Sequence, residues 1–459
     1  MPLVKDTRSY ALIIALLASF LTPFVGSSIN IALPVIGRDL GINALFLGWI
    51  PTIYLLALAI LLIPMGRISD IYGRKRIFQW GIIIFTISSF LASFSISGEM
   101  LLFFRIVQGV GSAMIFGNVS AIVAAVFPVM QRGRALGWAA TGAYLGLFLG
   151  PPLGGFLTQN LGWQSIFYFN VPLGIFCAYS ARHIKEEWRE ARGEKFDLKG
   201  TLILSTSLIL FMMGLSFLPD TSGLIFLVMG LVAGVIFYYF ESGLKSPVLK
   251  VDLFKNKGFT WNGVAALISY TAAYPIIFLL SFYLQYVLNL SPQWAGLLLS
   301  AQPLIIAGLS PYAGRMSDMR NPSKVAAGGM AFIILSLIIF SLLPWIQSLY
   351  LVLSGLIFLG LGFALFAAPN SNLVMSSLSE KYFGVAASTI TSMRVMGQML
   401  GMGIALLLIN LYLGTADIKP DNIILFMDVM QISFIIFAFL SFFGFLITYQ
   451  GRLRDRLPP

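Results

Sequence analysis

The chain has 459 residues, 58% of them hydrophobic and 10% charged, with a mean hydropathy of +0.90 and a formal charge of +11. A soluble domain is about 45–50% apolar and about 25% charged, so a water-soluble globule is excluded and the surrounding medium is lipid. The basic balance needs no nucleic-acid partner, because membrane topology accounts for it, and the one cysteine, Cys177, excludes an internal disulfide.

A helix crossing the hydrocarbon needs about 20 mostly apolar residues, and only helices or closed barrels satisfy their backbone groups in lipid. The apolar runs lack two-residue alternation, which predicts helices. Fourteen spans are expected, at 10–37, 43–65, 77–97, 100–127, 135–158, 163–182, 199–218, 222–241, 259–288, 292–313, 324–344, 348–374, 383–413 and 423–449. The first run follows Lys5 and Arg8 and is too long for the core of a cleaved signal, so it reads as a retained helix. With the N-terminus inside, 25 of the 29 lysines and arginines fall on inner segments and only Arg38 and Lys419 on outer loops. The expectation is a multi-pass protein of the cell (plasma or inner) membrane with both termini cytoplasmic.

Along the chain, the stretch GRISDIYGRKR (66–76) after span 2 concentrates Arg67, Arg74, Lys75 and Arg76 around one anion, Asp70. Gly66 permits close packing at a helix end and Gly73 a turn, while Asp70 calls for a partner. GRMSD returns at 314–318 after span 10. The repeat predicts two six-helix units, 1–183 and 255–459, joined by a linker, 184–254, that adds two spans. Repeated helical halves place a transport site at their interface.

Span 4 carries Arg105 in RIVQGVGSA; an arginine within a span is costly and functional by default, unless it snorkels to the surface. Span 5 reads GWAATGAYLGLFLGPPLGG. Gly142, Gly146, Gly150 and Gly154 are four apart, forming a ridge without side chains that a neighbour can approach closely, and Pro151 and Pro152 bend the helix. The mixed-charge segment HIKEEWREARGEKFDL (183–198) reads as a solvated connector, with a surface helix as the alternative. In the second half come LFAAPNSNLVMSS (365–377) and STITSMRVMGQMLGMGIA (388–405), where Arg394, midway through span 13, needs a partner or a wet cavity.

Together these motifs resemble the major facilitator superfamily, and within it the fourteen-helix drug:proton antiporters, over essentially the whole chain. Gly66, Arg67, Asp70, Gly73, Arg74 and Lys75 match the family's loop between helices 2 and 3, echoed by Gly314, Arg315 and Asp318. The resemblance implies that Asp70 holds one face shut by meeting Arg74 and a helix end of the other half. Arg105, Gln108, Gly109 and Gly111 match a second motif, whose arginine the family ties to proton transfer. Gly137, Gly146, Gly150, Pro151, Gly154 and Gly155 fit the antiporter signature, and GWQSIFYFNVPLG (162–174) is typical of the branch. The implied fold is all-α, two six-helix bundles plus two central helices. The implied activity is proton-coupled efflux of drugs or other small amphipathic molecules by alternating access, by a monomer without a cofactor or metal. An importer or facilitator of a small metabolite, or a receptor on the same fold, remain alternatives. A nucleotide-driven pump is excluded because no Gly-Lys-Ser/Thr loop is present; an enzyme is disfavoured by one histidine and one cysteine.

One departure matters. Many drug antiporters carry a carboxylate in the first span, and here PFVGSSINIALP places Val25 there. The remaining coupling candidates are Arg105 and Asp428, with Asp70, Asp39 or the substrate's own protonation as further routes. The missing acid weakens a cationic substrate and leaves neutral, zwitterionic or anionic ones. The cavity is expected to be lined by Asn30, Tyr54, Gln108, Tyr144, Asn262, Tyr274, Gln302, Asn370 and Arg394, an adaptable polar and aromatic set.

Overall fold

Apolar runs of this length satisfy their backbone internally by coiling, and the computed structural model is helical throughout: no strand occurs among the described residues. It describes residues 2–244, 247–378, 383–414, 416, 418 and 422–454. The predicted topological cations Lys245, Lys381, Lys419 and Arg456 lie outside that set. The first half is α1 Pro2–Leu40, α2 Ala44–Tyr72, α3 Arg74–Ala92, α4 Gly98–Val126, α5 Val129–Leu161 and α6 Gln164–Arg182. Then come α7 Leu198–Phe217 and α8 Thr221–Ser242. The second half is α9 Lys257–Phe282, prolonged by a π turn Tyr283–Val287, then α10 Pro292–Leu299 and α11 Ala301–Met319, which form one span. It ends with α12 Pro322–Ser341, α13 Leu349–Ser376, α14 Phe383–Tyr412 and α15 Ile423–Arg454.

Counting α10 with α11, these are fourteen spans. Eleven are long and apolar enough to cross a bilayer on composition alone. The other three, α3, α5 and α6, are diluted by an initial Arg74-Lys75-Arg76, by glycines and prolines, and by Gln164 and Asn170. α7 and α8 pair with each other and reach the rest mainly through α14 and α2. α8 turns Leu224, Val228, Leu231, Val235 and Tyr239 outward, as a lipid-facing helix does.

Inside each half the same device recurs. A Cβ on Gly81 of α3 would lie 3.0 Å from the Gly111 carbonyl of α4, and one on Gly329 of α12 2.6 Å from the Gly362 carbonyl of α13. Small residues let backbones approach where lipid supplies no hydrophobic drive. Asn118 of α4 donates to the Ser69 hydroxyl at 2.8 Å, and Asn372 of α13 to the Ser317 hydroxyl at 3.0 Å. Ser69 and Ser317 are the serines of GRISD and GRMSD, so the repeat in sequence is a repeat in packing.

Two expectations about local structure are corrected. Residues 66–72 are not a loop: they are the last turns of α2, and the chain breaks only at Gly73, whose φ of +122° suits glycine alone. Residues 314–318 likewise belong to α11. The segment 184–197 is neither a free connector nor a helix. It is irregular chain docked on α2 and α3 through buried Ile184 and Ala191, with Trp188 against the first half's core.

Candidate functional site

The halves are tied together at the cation-poor end, where α1 finishes. Ser281 donates to the Asn30 carbonyl at 2.7 Å, Gln285 to Ile31 at 2.9 Å and Tyr286 to Pro34 at 3.1 Å. The backbone amide of Gln293 donates to Gln159 at 3.2 Å. α5 and α10 touch there through glycine, Gly155 against Pro292 and Gly296 against Pro151. Towards the cation-rich end, Gly137 and Thr141 of α5 and Pro311, Tyr312 and Arg315 of α11 are exposed.

The glycine ridge on α5 faces α1. Gly142, Gly146 and Gly154 press on the backbone of Leu16, Phe20 and Ser28, and Gly150 on the Ser27 side chain. Gly155 instead faces α10, so Pro151 and its neighbours seat α5 against both halves. Gly137 lies off this seam with nothing within 4 Å of a Cβ.

A buried polar cluster lies in the first half. Gly109 and Gly111 let α4 press on α2 and α3, which carries Arg105 inward; it is wholly buried and does not snorkel. Its Nε donates to the Ile50 carbonyl at 3.2 Å, Nη1 donates to Gln108, and its guanidinium lies 4.2 Å from the Tyr54 ring centroid. Gln108 passes a hydrogen bond to Ser89 at 2.7 Å, and Tyr54 donates to Ser112 at 2.9 Å. Tyr274 of α9 is half-buried in the opposite half. Arg105 Nη2 and Asn30 Oδ1 are buried without a hydrogen-bond partner.

A second cluster lies in the other half. Arg394 donates to Ser371 at 2.7 Å and approaches the Tyr270 ring at 5.5 Å, while its Nε is buried without a partner. Gln302 and Asn370 are buried on α11 and α13, each with an unfilled side-chain oxygen, and Tyr144 is half-buried on α5. Asn262 is set apart. Twelve residues before Tyr274, it is about 18 Å away along α9 and lines a pocket of about 610 Å³ with Trp261, Ser323, Ser377 and Gln450, wholly within the second half. Asp428 is half-buried in the second turn of α15.

At the cation-rich end, Asp70 pairs with Arg74 at 2.8 Å, and among the described residues no group of the second half pairs with it. The docked connector supplies the other anions. Glu190 meets Arg74 at 2.9 Å, Glu194 pairs with Arg67, and Glu187 accepts from the backbone amides of Lys75 and Arg76 at 2.9 and 3.2 Å, capping α3. The Arg74 amide donates to Trp188, and the Ala191 amide to the Asp70 carbonyl. Sequence reasoning missed these glutamates, although three acids at 187, 190 and 194 mirror the nearby cations. It also missed Tyr270 and Ser89, which carry no motif of their own, and passed over Ser112 and Ser371, which lie inside RIVQGVGSA and LFAAPNSNLVMSS.

The sequence profile of the Major Facilitator Superfamily matches residues 15–402 and again 263–458. Among curated relatives, Riboflavin transporter RibZ of Clostridioides difficile is 31% identical, covering 85% of this chain and 86% of that one. Cephamycin export protein CmcT of Amycolatopsis lactamdurans is 29% identical, covering 87% and 85%, and multidrug resistance protein Stp of Mycobacterium tuberculosis 27%, covering 82% and 71%. A peptide transporter POT structure with sulfate superposes with a TM-score of 0.72 at 17% identity, covering 96% and 95% of the two chains. A bacterial Spinster homologue in an inward-facing, unoccupied conformation gives 0.67 at 16%, covering 99% of each.

Proposed function

The chain belongs to the major facilitator superfamily, a family of membrane transporters rather than enzymes, and on that premise we propose that it is a proton-coupled exporter of small amphipathic molecules. The cation-rich end faces the cytoplasm, by the excess of lysine and arginine there. Transport proceeds by rocking of the halves about a central site. The observation that carries this reading is the asymmetry of the seam. The halves are bonded between α1 and α9 at one end, residues of α5 and α11 are exposed at the other, and the α5 glycines give a smooth contact on which α1 and α10 can shift. In the opposite state the Asn30, Ile31 and Pro34 bonds break, and the Asp70 corner meets the second half.

The export direction and drug-like substrate are supported by the α5 signature and by relatives named for multidrug resistance and cephamycin export. RibZ, 31% identical, favours a second reading in which the solute is a flavin-sized heteroaromatic. Reconstitution in proteoliposomes tests both. Rhodamine, fluorescein and riboflavin are offered with and without an imposed pH gradient. Movement only with the gradient is expected; movement indifferent to it removes proton coupling, and movement of none removes the transport reading.

A further inference from the structure

We infer that the transported solute carries an anionic group and that Arg105 docks it; this rests on the transporter reading above. Arg105 is fully buried with two of its donor groups engaged, by a carbonyl and by an amide oxygen, and its Nη2 has no partner. Both engaged acceptors are neutral. Of the first half's acids whose side chains are described, Asp39 and Glu99 are exposed, and Asp70 is held by Arg74 at the far end of α2. A buried charge without a counter-charge is costly, and the cation–π contact with Tyr54 offsets only part of that. An anion at Nη2 completes the site.

A second, independent observation points the same way. Arg394, on α14, which packs against α2, is also held by a hydroxyl and an aromatic ring, and its buried Nε has no partner. Two intramembrane cations, Arg105 in the first half and Arg394 in the second, therefore have no carboxylate partner among the described residues. A cationic solute approaching either one meets repulsion that low polarity strengthens. An anion meets guanidinium donors, whose planar fork matches carboxylate, sulfonate or phosphate oxygens. The half-buried Tyr270 beside Arg394 adds an aromatic ring for a conjugated solute. The solute class is a flat aromatic amphiphile bearing one such group.

The test is equilibrium binding to the purified full chain in phosphatidylcholine nanodiscs, without a pH gradient, read by fluorescence anisotropy. Fluorescein is the anionic probe, riboflavin the uncharged one and rhodamine 6G the cationic one. Fluorescein is expected to bind at least about ten-fold more tightly than rhodamine 6G. Arg105→Met should weaken fluorescein about ten- to a hundred-fold and riboflavin markedly less, and Arg105→Lys should recover part of the loss. Riboflavin binding confirms that the variant is folded. If Arg105→Met does not fold, Arg394→Met carries the same comparison with a smaller loss. Equal affinity for the three probes, or an equal loss for all of them in the variants, overturns the inference. Loss of fluorescein binding in nanodiscs of phosphatidylglycerol assigns the site to a lipid headgroup and overturns it as well. Gradient-driven movement of rhodamine 6G without fluorescein binding defeats the anion assignment alone; failure of every probe to move defeats the exporter reading.

Discussion

In the first half, α3 meets α4 across Gly81 and Gly111, and Asn118 bonds Ser69; in the second, α12 meets α13 across Gly329 and Gly362, and Asn372 bonds Ser317. These packing contacts recur in both halves. The charged corners beside them do not. Asp70, Arg67 and Arg74 are tied by each other and by Glu190 and Glu194 of the connector, whereas Arg315 and Asp318 are exposed and make no ion pair among the described residues. Duplication preserved what packing requires. Only one corner is reached by the connector, because the chain leaving α6 passes over α2 and α3, so the two charged corners have different partners.

The comparison can be broken or sharpened in four ways, from the largest effect down. Gly81→Leu and Gly329→Leu each drive a side chain into facing backbone and should cost upwards of about 3 kcal/mol, enough to lose the folded protein from a size-exclusion profile. Equal losses support equivalent cores, and a tolerated Leu in either half contradicts them. Next, Asp70→Asn removes an anion that the first corner needs; transport in proteoliposomes should fall about ten-fold at unchanged protein level. Asp318→Asn should stay within about two-fold, and a similar fall in both would make the gates equal.

Third, Asn118→Ala and Asn372→Ala each remove a buried or half-buried hydrogen bond and should lower stability by about 1–2 kcal/mol alike, seen as matched falls in thermal unfolding temperature. Last, Glu190→Gln with Glu194→Gln removes partly exposed ion pairs, worth about 0.2–1 kcal/mol each and weakened by salt. The variant should differ measurably from the parent at low ionic strength and converge with it at high ionic strength. Arg315→Gln should show no such salt dependence.

The spans and the halves were legible before any coordinates, because both follow from short-range properties. Apolar length dictates a crossing helix, and GRISD and GRMSD mark equivalent helix ends. The α5 ridge was legible too, since a four-residue glycine spacing has one meaning on a helix. The boundaries of the charged turn were not: Gly66 invites a break, yet α2 continues to Tyr72, and the left-handed demand falls on Gly73.

By itself, then, the sequence determined an all-helical membrane chain of two related halves with two arginines within the spans; that Arg105 is buried rather than snorkelling was decided by packing. Tertiary structure alone decided which polar groups meet: Arg105 with Tyr54 and Gln108, Arg394 with Ser371 and Tyr270, the connector glutamates with the α2–α3 corner, and Asn262 with a pocket away from the seam. In lipid, a helix is apolar on its packed face and on its outer face, so periodicity does not say which side a neighbour covers. Partners 50 to more than 100 residues apart, such as Ile50 with Arg105 or Arg74 with Glu190, are fixed only when the helices pack.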